Sequence, residues 1–391
     1  MKTKFRKKIK NKLLKIKDII IVKILENGEI KKFRDKRRKK IYSVIKLSDS
    51  QKNEIDKLYK ENYGRKIPYT WHRHFTAFTG KFDKYYFPEL LYIPDFEYFM
   101  NLDKNYCKTF EDKNVLPMIA QKAGIKMPKT IISCTASMYR DSEYNVVDKK
   151  KCAKVLNDIG ECFAKPSVDA CSGNGCMLLN ILSGKDINSN LSVEEILDKL
   201  GNNFVIQERL KCHKTISNLY KNSTNTFRII TYRWKDEIIN MPAIMRIGQG
   251  GGIVDNAHAG GMFIAVNNDG TLHEKAFTEF KNEYKIHPDS KIRFENYKIE
   301  NFQKVIDSAK KMHTMIPQVG CVNWDFTIDS EGNSILIEAN LLGGGIWVIQ
   351  MAHGKGPFGE KTPEILRWIR LMKNAKIDQR ERYKFGNIDW F

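Results

Sequence analysis

Val322-Asn323-Trp324-Asp325-Phe326-Thr327-Ile328-Asp329-Ser330-Glu331-Gly332-Asn333-Ser334-Ile335-Leu336-Ile337-Glu338-Ala339-Asn340 is the stretch on which the reading of the fold turns. Apolar residues crowd both ends, and Asp329 to Asn333 form a polar break between them. The pattern predicts two short strands joined by a turn. Alternate residues of a strand share a face, so Glu338 and Asn340 point the same way. A hairpin brings Asp325 alongside them. Two carboxylates and an amide oxygen on one face make a hard oxygen cluster, which suits Mg²⁺ carrying nucleotide phosphates. A solvated carboxylate pair is the plainer alternative, but apolar residues flank it on both strands.

At 391 residues the chain is long enough for two or three domains with sizeable cores. Its 42% hydrophobic and 29% charged residues are the balance of a globular protein. Eight cysteines occur without a CxxC pair, a pattern of reduced thiols in a cytoplasm rather than a disulfide framework. The longest apolar run near the start, Ile19 to Val22, lies between Asp18 and Lys23. That is far short of the roughly twenty residues of a membrane span, and too short for a signal peptide. A cytoplasmic protein is expected.

The net charge of +21 is unevenly spread. Residues 1–48 hold 19 Lys and Arg against 4 Asp and Glu, a net of +15, which leaves +6 for the rest. No nucleic-acid motif accompanies the basic segment, so nucleic-acid binding is not expected. Phe5, Ile9, Leu13, Ile16, Ile20 and Ile24 recur every three or four residues with lysines between them. This is the pattern of an amphipathic helix with a cationic face, as in peripheral anchors at the inner membrane face. An element packed on the main body is the alternative, and Asn27-Gly28 is a hairpin signal that would make Ile19 to Leu25 a strand. Residues 49–111 are rich in aromatics, Trp71, Phe75, Phe87 and Phe96 among them, which are expected to form core.

From residue 112 the texture alternates between helix and strand. A helix is predicted over Asn114 to Ala123, ended by Gly124, and another near Ser192 to Leu200 with Ser192 and Glu195 as its cap. Strands are predicted over Gly160 to Pro166, Met177 to Leu182, Phe204 to Gln207, Phe227 to Trp234 and Glu237 to Arg246, with a helix over Glu300 to Met312. The alternation indicates an α+β chain with antiparallel sheets in two lobes.

Lys165 ends an apolar strand, and Ser172-Gly173-Asn174-Gly175 follows it closely. A lysine beside a glycine loop with free backbone N–H groups can grip a polyphosphate, although an ordinary hairpin turn has the same composition. Gln207-Glu208-Arg209-Leu210 leaves a strand end where backbone groups can meet an adenine edge. Arg228 and Arg246 lie on neighbouring strands, and arginine forks suit phosphoryl groups and acyl phosphates, surface ion pairs being the alternative.

In this order the residues resemble the ATP-grasp superfamily over roughly residues 110–360, and within it the sugar-transfer-associated branch. Asn225-Thr226-Phe227-Arg228, Val254-Asp255-Asn256-Ala257-His258-Ala259-Gly260-Gly261, Trp324-Asp325, Glu338-x-Asn340 and Gln350 carry that likeness. The resemblance implies that two α+β lobes, 112–210 and 211–391, grasp ATP between antiparallel sheets. It implies that Lys113 and Lys165 contact phosphates, that Ser172, Gly173 and Gly175 close over them, and that Gln207, Glu208 and Leu210 hold adenine. Asp325, Glu338 and Asn340 would hold two Mg²⁺, with Mn²⁺ as a substitute. No acidic ribose partner follows Leu210, where Lys211, Cys212 and His213 stand.

The implied reaction is a carboxylate–amine ligation through an acyl phosphate, with Arg228 and Arg246 stabilising that intermediate. Asp255, Asn256, His258, Gly260, Gly261 and Gln350 would line the substrate pocket, His258 being either a proton acceptor or a structural loop residue. The expected substrates are an acidic sugar of a cell-surface polysaccharide and an amine or amino acid. Phosphorylation without amide formation and a nucleotide-bound scaffold recruited through residues 1–48 are the alternatives. Asp325→Asn is expected to leave the fold intact.

Overall fold

The computed structural model describes residues 2–168 and 174–387. Two antiparallel sheets organise the chain. In the smaller-lobe sheet the strands run Val146–Val147, Met138–Arg140, Thr130–Thr135, Phe204–Glu208, Gly160–Pro166, Met177–Leu182 and Lys185–Asp186 from edge to edge. In the second sheet the order is Glu283–Tyr284, Leu272–Phe277, Met262–Val266, Ala243–Ile247, Thr226–Trp234, Cys321–Ile328 and Ser334–Asn340. The short strand Glu237–Asn240 also pairs with Thr226–Trp234. The expected single strand Glu237 to Arg246 is therefore two strands, divided at Met241-Pro242. Proline has no N–H for the ladder, so pairing stops there.

Local chemistry sets the helix ends. Ser192 Oγ accepts the Glu195 N–H at 3.2 Å and Glu195 Oε2 accepts the Ser192 N–H at 2.8 Å, closing the capping box of helix Val193–Leu200. Gly124, with φ +67°, ends helix Leu116–Ala123. The turn of the quoted hairpin is held by Asp329 Oδ1, which accepts from the N–H groups of Glu331 and Asn333 at 3.0 and 2.8 Å.

Strand alternation assigns each sheet two different faces. In Gly160–Pro166, Cys162 and Ala164 pack against helices Lys149–Leu156 and Val193–Leu200, which leaves Glu161, Phe163 and Lys165 facing the space between the sheets. In the second sheet Phe227, Ile229, Trp324 and Phe326 pack on helix Phe302–Thr314. The opposite face carries Ile230, Tyr232, Ile244 and Cys321, and the helices of residues 2–111 cover it. Arg228, Arg246, Asp325 and Glu338 stand on that same covered face, beyond the edge of the helical layer.

Helix Lys2–Phe33 runs unbroken through Asn27-Gly28, so the hairpin alternative is not adopted. Ile21, Val22, Leu25 and Phe33 pack on the body, and Tyr98 Oη donates to Asp18 at 2.7 Å. The stripe read as amphipathic lies on the other side. Ile9, Leu13, Ile16, Ile20 and Ile24 are each 45–64% exposed. Both faces of the helix are thus partly apolar, and the sequence pattern picked out the outer one. Among the described residues, no helix is long and apolar enough to cross a membrane.

The aromatics of 49–111 form core. Phe96 is fully buried, and its ring meets Tyr92, Tyr232, Phe358 and Trp368 at centroid separations of 4.8–5.9 Å. It joins the helical layer to the sheet. Phe96→Ala is expected to cost about 3–5 kcal/mol in urea unfolding; a cost of about 0.5 kcal/mol, as for an exposed side chain, would contradict this packing.

Candidate active site

Four residues lie in register across four strands of the second sheet. Ile244 pairs with Arg228, Arg228 with Asp325, and Asp325 with Glu338. Adjacent side chains in such a row are close enough to interact directly. Arg228 donates to both Asp325 oxygens, at 2.6 and 3.0 Å, and Arg246 Nη2 donates to Oδ2 at 3.0 Å. Asp325 is 1% exposed. Burial alone pushes its carboxyl up, but Arg228 and Arg246 outweigh burial and hold it below the usual carboxylate range.

Arg246 is braced from its other side. Its guanidinium donates to Thr226 Oγ1 at 2.6 and 3.0 Å, and Thr226 donates its N–H and hydroxyl to Asp255 Oδ2 at 2.8 and 2.5 Å. Burial opposes the Arg246 charge, yet Asp255, Asp325 and Glu338 together favour it. Asp255 is therefore a buried support for Arg246, 7% exposed.

Two lysines approach Glu338 from the smaller lobe. Lys113 Nζ lies 3.6 Å from Glu338 Oε2, and its N–H donates to Ser167 O at 3.0 Å, fastening this turn to the end of the first sheet. Lys165 is buried, and burial pushes its ammonium down to about 8 against the pull of Glu338. A buried cation with so little compensation is suited to an incoming anion. Asn340 Nδ2 donates to Glu338 Oε1 at 3.5 Å, which keeps its amide beside this carboxylate. Among the described residues, no group of three or more His, Cys, Asp and Glu is placed to hold a metal. The candidate set is two carboxylates and one amide.

Lys113, Lys165, Arg246, Asp325 and Glu338 form one end of a cavity of about 490 Å³ between the sheets. Its other end has apolar walls, Phe163 and Leu178 from the first sheet with Ile253 and Ile337 opposite, and Gln207 to Leu210 run along one edge. The Gln207 amide donates to Pro128 O and Thr130 Oγ1 at 3.3 and 3.4 Å, fixing that edge. Sequence reasoning missed the apolar walls. Ile337 should alternate away from Glu338, but the register slips between Asp325 and Phe326, making Ile337 the extra residue of a bulge. No local signal announces that slip. Ser217, Asn222, Ser223 and Thr224 also line this cavity, supplying polar groups where the sequence offered no acidic residue.

The remaining expected site residues divide. Ser172 and Gly173 lie outside the described residues. Gly175 has φ +75°, and a Cβ there would meet Pro166 Cγ at 2.9 Å, so only glycine fits the turn. Glu208 and Leu210 line the first cavity, and Asn256 lines it and a second cavity beyond Arg246. Asn256 Oδ1 accepts the His258 N–H at 2.9 Å. His258 lines the second cavity, bonds Glu279 at 2.8 Å and stacks on Trp347 at 5.4 Å. Gly260 and Gly261 line neither cavity; a Cβ on Gly261 would fall 2.3 Å from Asp255 O, so it serves the loop turn. Gln350 is fully buried, with its amide exchanging bonds of 2.7 and 2.9 Å with the Phe87 backbone. It braces a helix rather than lining a cavity.

The bracing role of Asp325 changes one expectation from the sequence. Asp325→Asn leaves two buried guanidinium groups undercompensated, so it is expected to destabilise the fold by about 3–5 kcal/mol. Because the folded carboxyl titrates below its unfolded value, this contribution is present above about pH 4 and lost as pH falls through the folded value. The stability difference between wild type and Asp325→Asn should therefore shrink on acidification in pH-dependent urea titrations; a constant difference would contradict the pairing.

Residues 94–364, 271 of the 391, match the family described as sugar-transfer associated ATP-grasp. Comparison with curated proteins finds no match. Solved structures with some likeness include the VanG D-Ala:D-Ser ligase from Enterococcus faecalis, at 13% identity and TM-score 0.39, covering 68% of this chain and 62% of that one. The L-amino acid ligase from Bacillus licheniformis matches at 12% identity and TM-score 0.38, over 67% and 49%. The N5-carboxyaminoimidazole synthetase from Staphylococcus aureus complexed with ADP matches at 13% and 0.36, over 61% and 46%. The chain spans about half the length of several of these structures. With two antiparallel sheets facing a lysine-lined cleft and a family match over more than two-thirds of its length, the chain belongs to the sugar-transfer associated ATP-grasp family.

Proposed function

We propose that the chain is an ATP-dependent carboxylate–amine ligase. The observation that carries this reading is that the two cavities share a wall. Arg246, Asn256 and Glu338 line both. A triphosphate in the first cavity would end where a second substrate, held in the other, could meet it. Lys113 and Lys165 neutralise phosphate oxygens, Phe163 and Ile337 hold the base, and Gln207 to Leu210 meet its edge.

In the first step a substrate carboxylate oxygen bonds to the γ-phosphorus, and the bond from that phosphorus to the ADP oxygen breaks. Arg228 and Arg246 balance the charge of two approaching anions. In the second step the amine nitrogen bonds to the acyl carbon while the carbon–oxygen bond to phosphate breaks. An ammonium sheds two protons on the way to an amide. One leaves on hydrogenphosphate and the other needs an acceptor. Asp325 and Glu338 are cross-strand partners, and Asn340 follows two residues after Glu338 on its strand. These hard donors fit Mg²⁺ or Mn²⁺ and would hold it, adding charge neutralisation at the triphosphate. The family's association with sugar transfer supports an acidic sugar as the carboxylate substrate.

The decisive assay crosses sugar acids with amino acids and amino sugars, reading ADP release and a product lighter by one water than the sum of its substrates. ADP release is expected to require both substrates, and Glu338→Gln to lower kcat by about 100-fold or more. A stable phosphorylated acid formed without amine would favour simple phosphotransfer, and unchanged turnover in Glu338→Gln would favour a scaffold.

The exposed stripe Ile9 to Ile24, set among lysines, supports a peripheral contact with an anionic lipid surface as part of the same reading. The full chain should sediment with phosphatidylglycerol vesicles, and Leu13→Glu with Ile20→Glu should abolish this. Equal binding to neutral phosphatidylcholine vesicles would contradict the electrostatic part.

A further inference from the structure

The second cavity, of about 300 Å³, contains polar groups that the steps above leave without a role. Glu89, from the helical layer, is 3% exposed and lines it. Its Oε1 accepts the Ile346 N–H at 2.7 Å, but its Oε2 has no hydrogen-bond partner among the described residues. His74, 1% exposed, lines the same cavity with neither ring nitrogen partnered. A buried polar atom left unbonded forfeits its hydration without return, so orphans gathered in one cavity point to a polar ligand.

The charge around Glu89 selects which ligand. Glu29 lines the cavity too and is 5% exposed, with Lys32 at 2.6 Å as its partner. Burial, reinforced by Glu29 and Glu97, pushes the Glu89 carboxyl far above its ordinary range, and Lys32 only partly offsets this. His74 is held neutral by burial, so it brings no cation. Arg38, Arg228 and Arg246 also line the cavity, but Glu279 and Asp325 already pair them. Lys32 is therefore the cation left to the Glu29 and Glu89 pair, and Glu89 ionises readily only when a further cation with N–H donors joins it. A primary ammonium supplies both the charge and the donors.

We infer that the end of the second cavity formed by Glu29, His74 and Glu89 is the amine subsite, binding the ammonium of the acceptor substrate. This subsite rests on the ligase reading above. With the acyl phosphate held at Arg228 and Arg246, which line the same cavity, the nitrogen is placed between the acid pair and the acyl carbon. Glu89 Oε2 takes the proton that does not leave on phosphate. The carbon–nitrogen bond then forms as the carbon–oxygen bond to phosphate breaks, and Glu89 passes its proton to solvent when the product departs. On this account the basic N-terminal helices are part of the enzyme's substrate chamber, through Glu29 and Lys32.

Thermal unfolding of the full chain tests this with glycine, L-alanine, L-serine, L-lysine and glucosamine, each beside its N-acetylated counterpart. At least one free amine is expected to raise Tm while its N-acetyl form does not. Glu89→Gln and Glu29→Gln, both near-isosteric, are each expected to weaken that amine by about tenfold or more. No shift with any amine, an equal shift with the N-acetyl form, or a shift surviving in both variants would overturn the subsite. An ATP analogue is titrated separately: its stabilisation reads the nucleotide cleft alone, so a failure there counts against the ligase reading, and the amine arm still decides the subsite.

Discussion

The ion pairing of Asp325 with Arg228 and Arg246 is the constraint around which this chain is arranged. Three charges stand on adjacent antiparallel strands with little water around them. Such a group is tolerated only where each charge is met by another and the remaining bonds are filled. Thr226 and Asp255 complete the bonding of Arg246, and Asp255 in turn fixes the loop that carries Asn256 and His258. The same row ends at Glu338, where the lysines of the other lobe arrive. One register across one sheet therefore positions the buried arginines, the loop of Asn256 and His258, and the point of contact between lobes.

The helical N-terminal layer gains meaning from this arrangement. It covers one half of the second sheet's face with aromatic core and stops short of the charged row. The gap becomes the second cavity, which the layer itself lines with Glu29, Lys32, His74 and Glu89. A segment that reads as a basic appendage in the sequence is thus joined to the site by packing, by the Glu97 bonds to the Gly343 and Gly344 N–H groups, and by the Glu89 bond to Ile346.

Much of this was legible in the chain. The hairpin of Asp325 and Glu338 was readable because alternation and a polar turn leave few other structures for it, and Ser192 with Glu195 announced their helix. The direction of the N-terminal helix was not readable, since apolar residues occupy both of its sides and only tertiary contact chooses between them. The bulge at Ile337 was hidden because it depends on the partner strand. Gln350 and Gly261 were expected at substrate, yet each answers a backbone demand some distance along the chain, at Phe87 and Asp255. Glu89 and His74 gave no motif at all; they acquire chemistry only by being buried beside the cleft.

The central claim is that a triphosphate lies between the two sheets, gripped by Lys113 and Lys165 against the Glu338 wall. Hydrogen–deuterium exchange of the full chain with and without ATP and Mg²⁺ tests it most directly. The account predicts simultaneous protection of residues 163–166 and 207–211, on neighbouring strands of the first sheet, and of 337–340 on the second sheet across the cleft. Protection confined to one lobe, or none in these segments while ATP is bound, would contradict it.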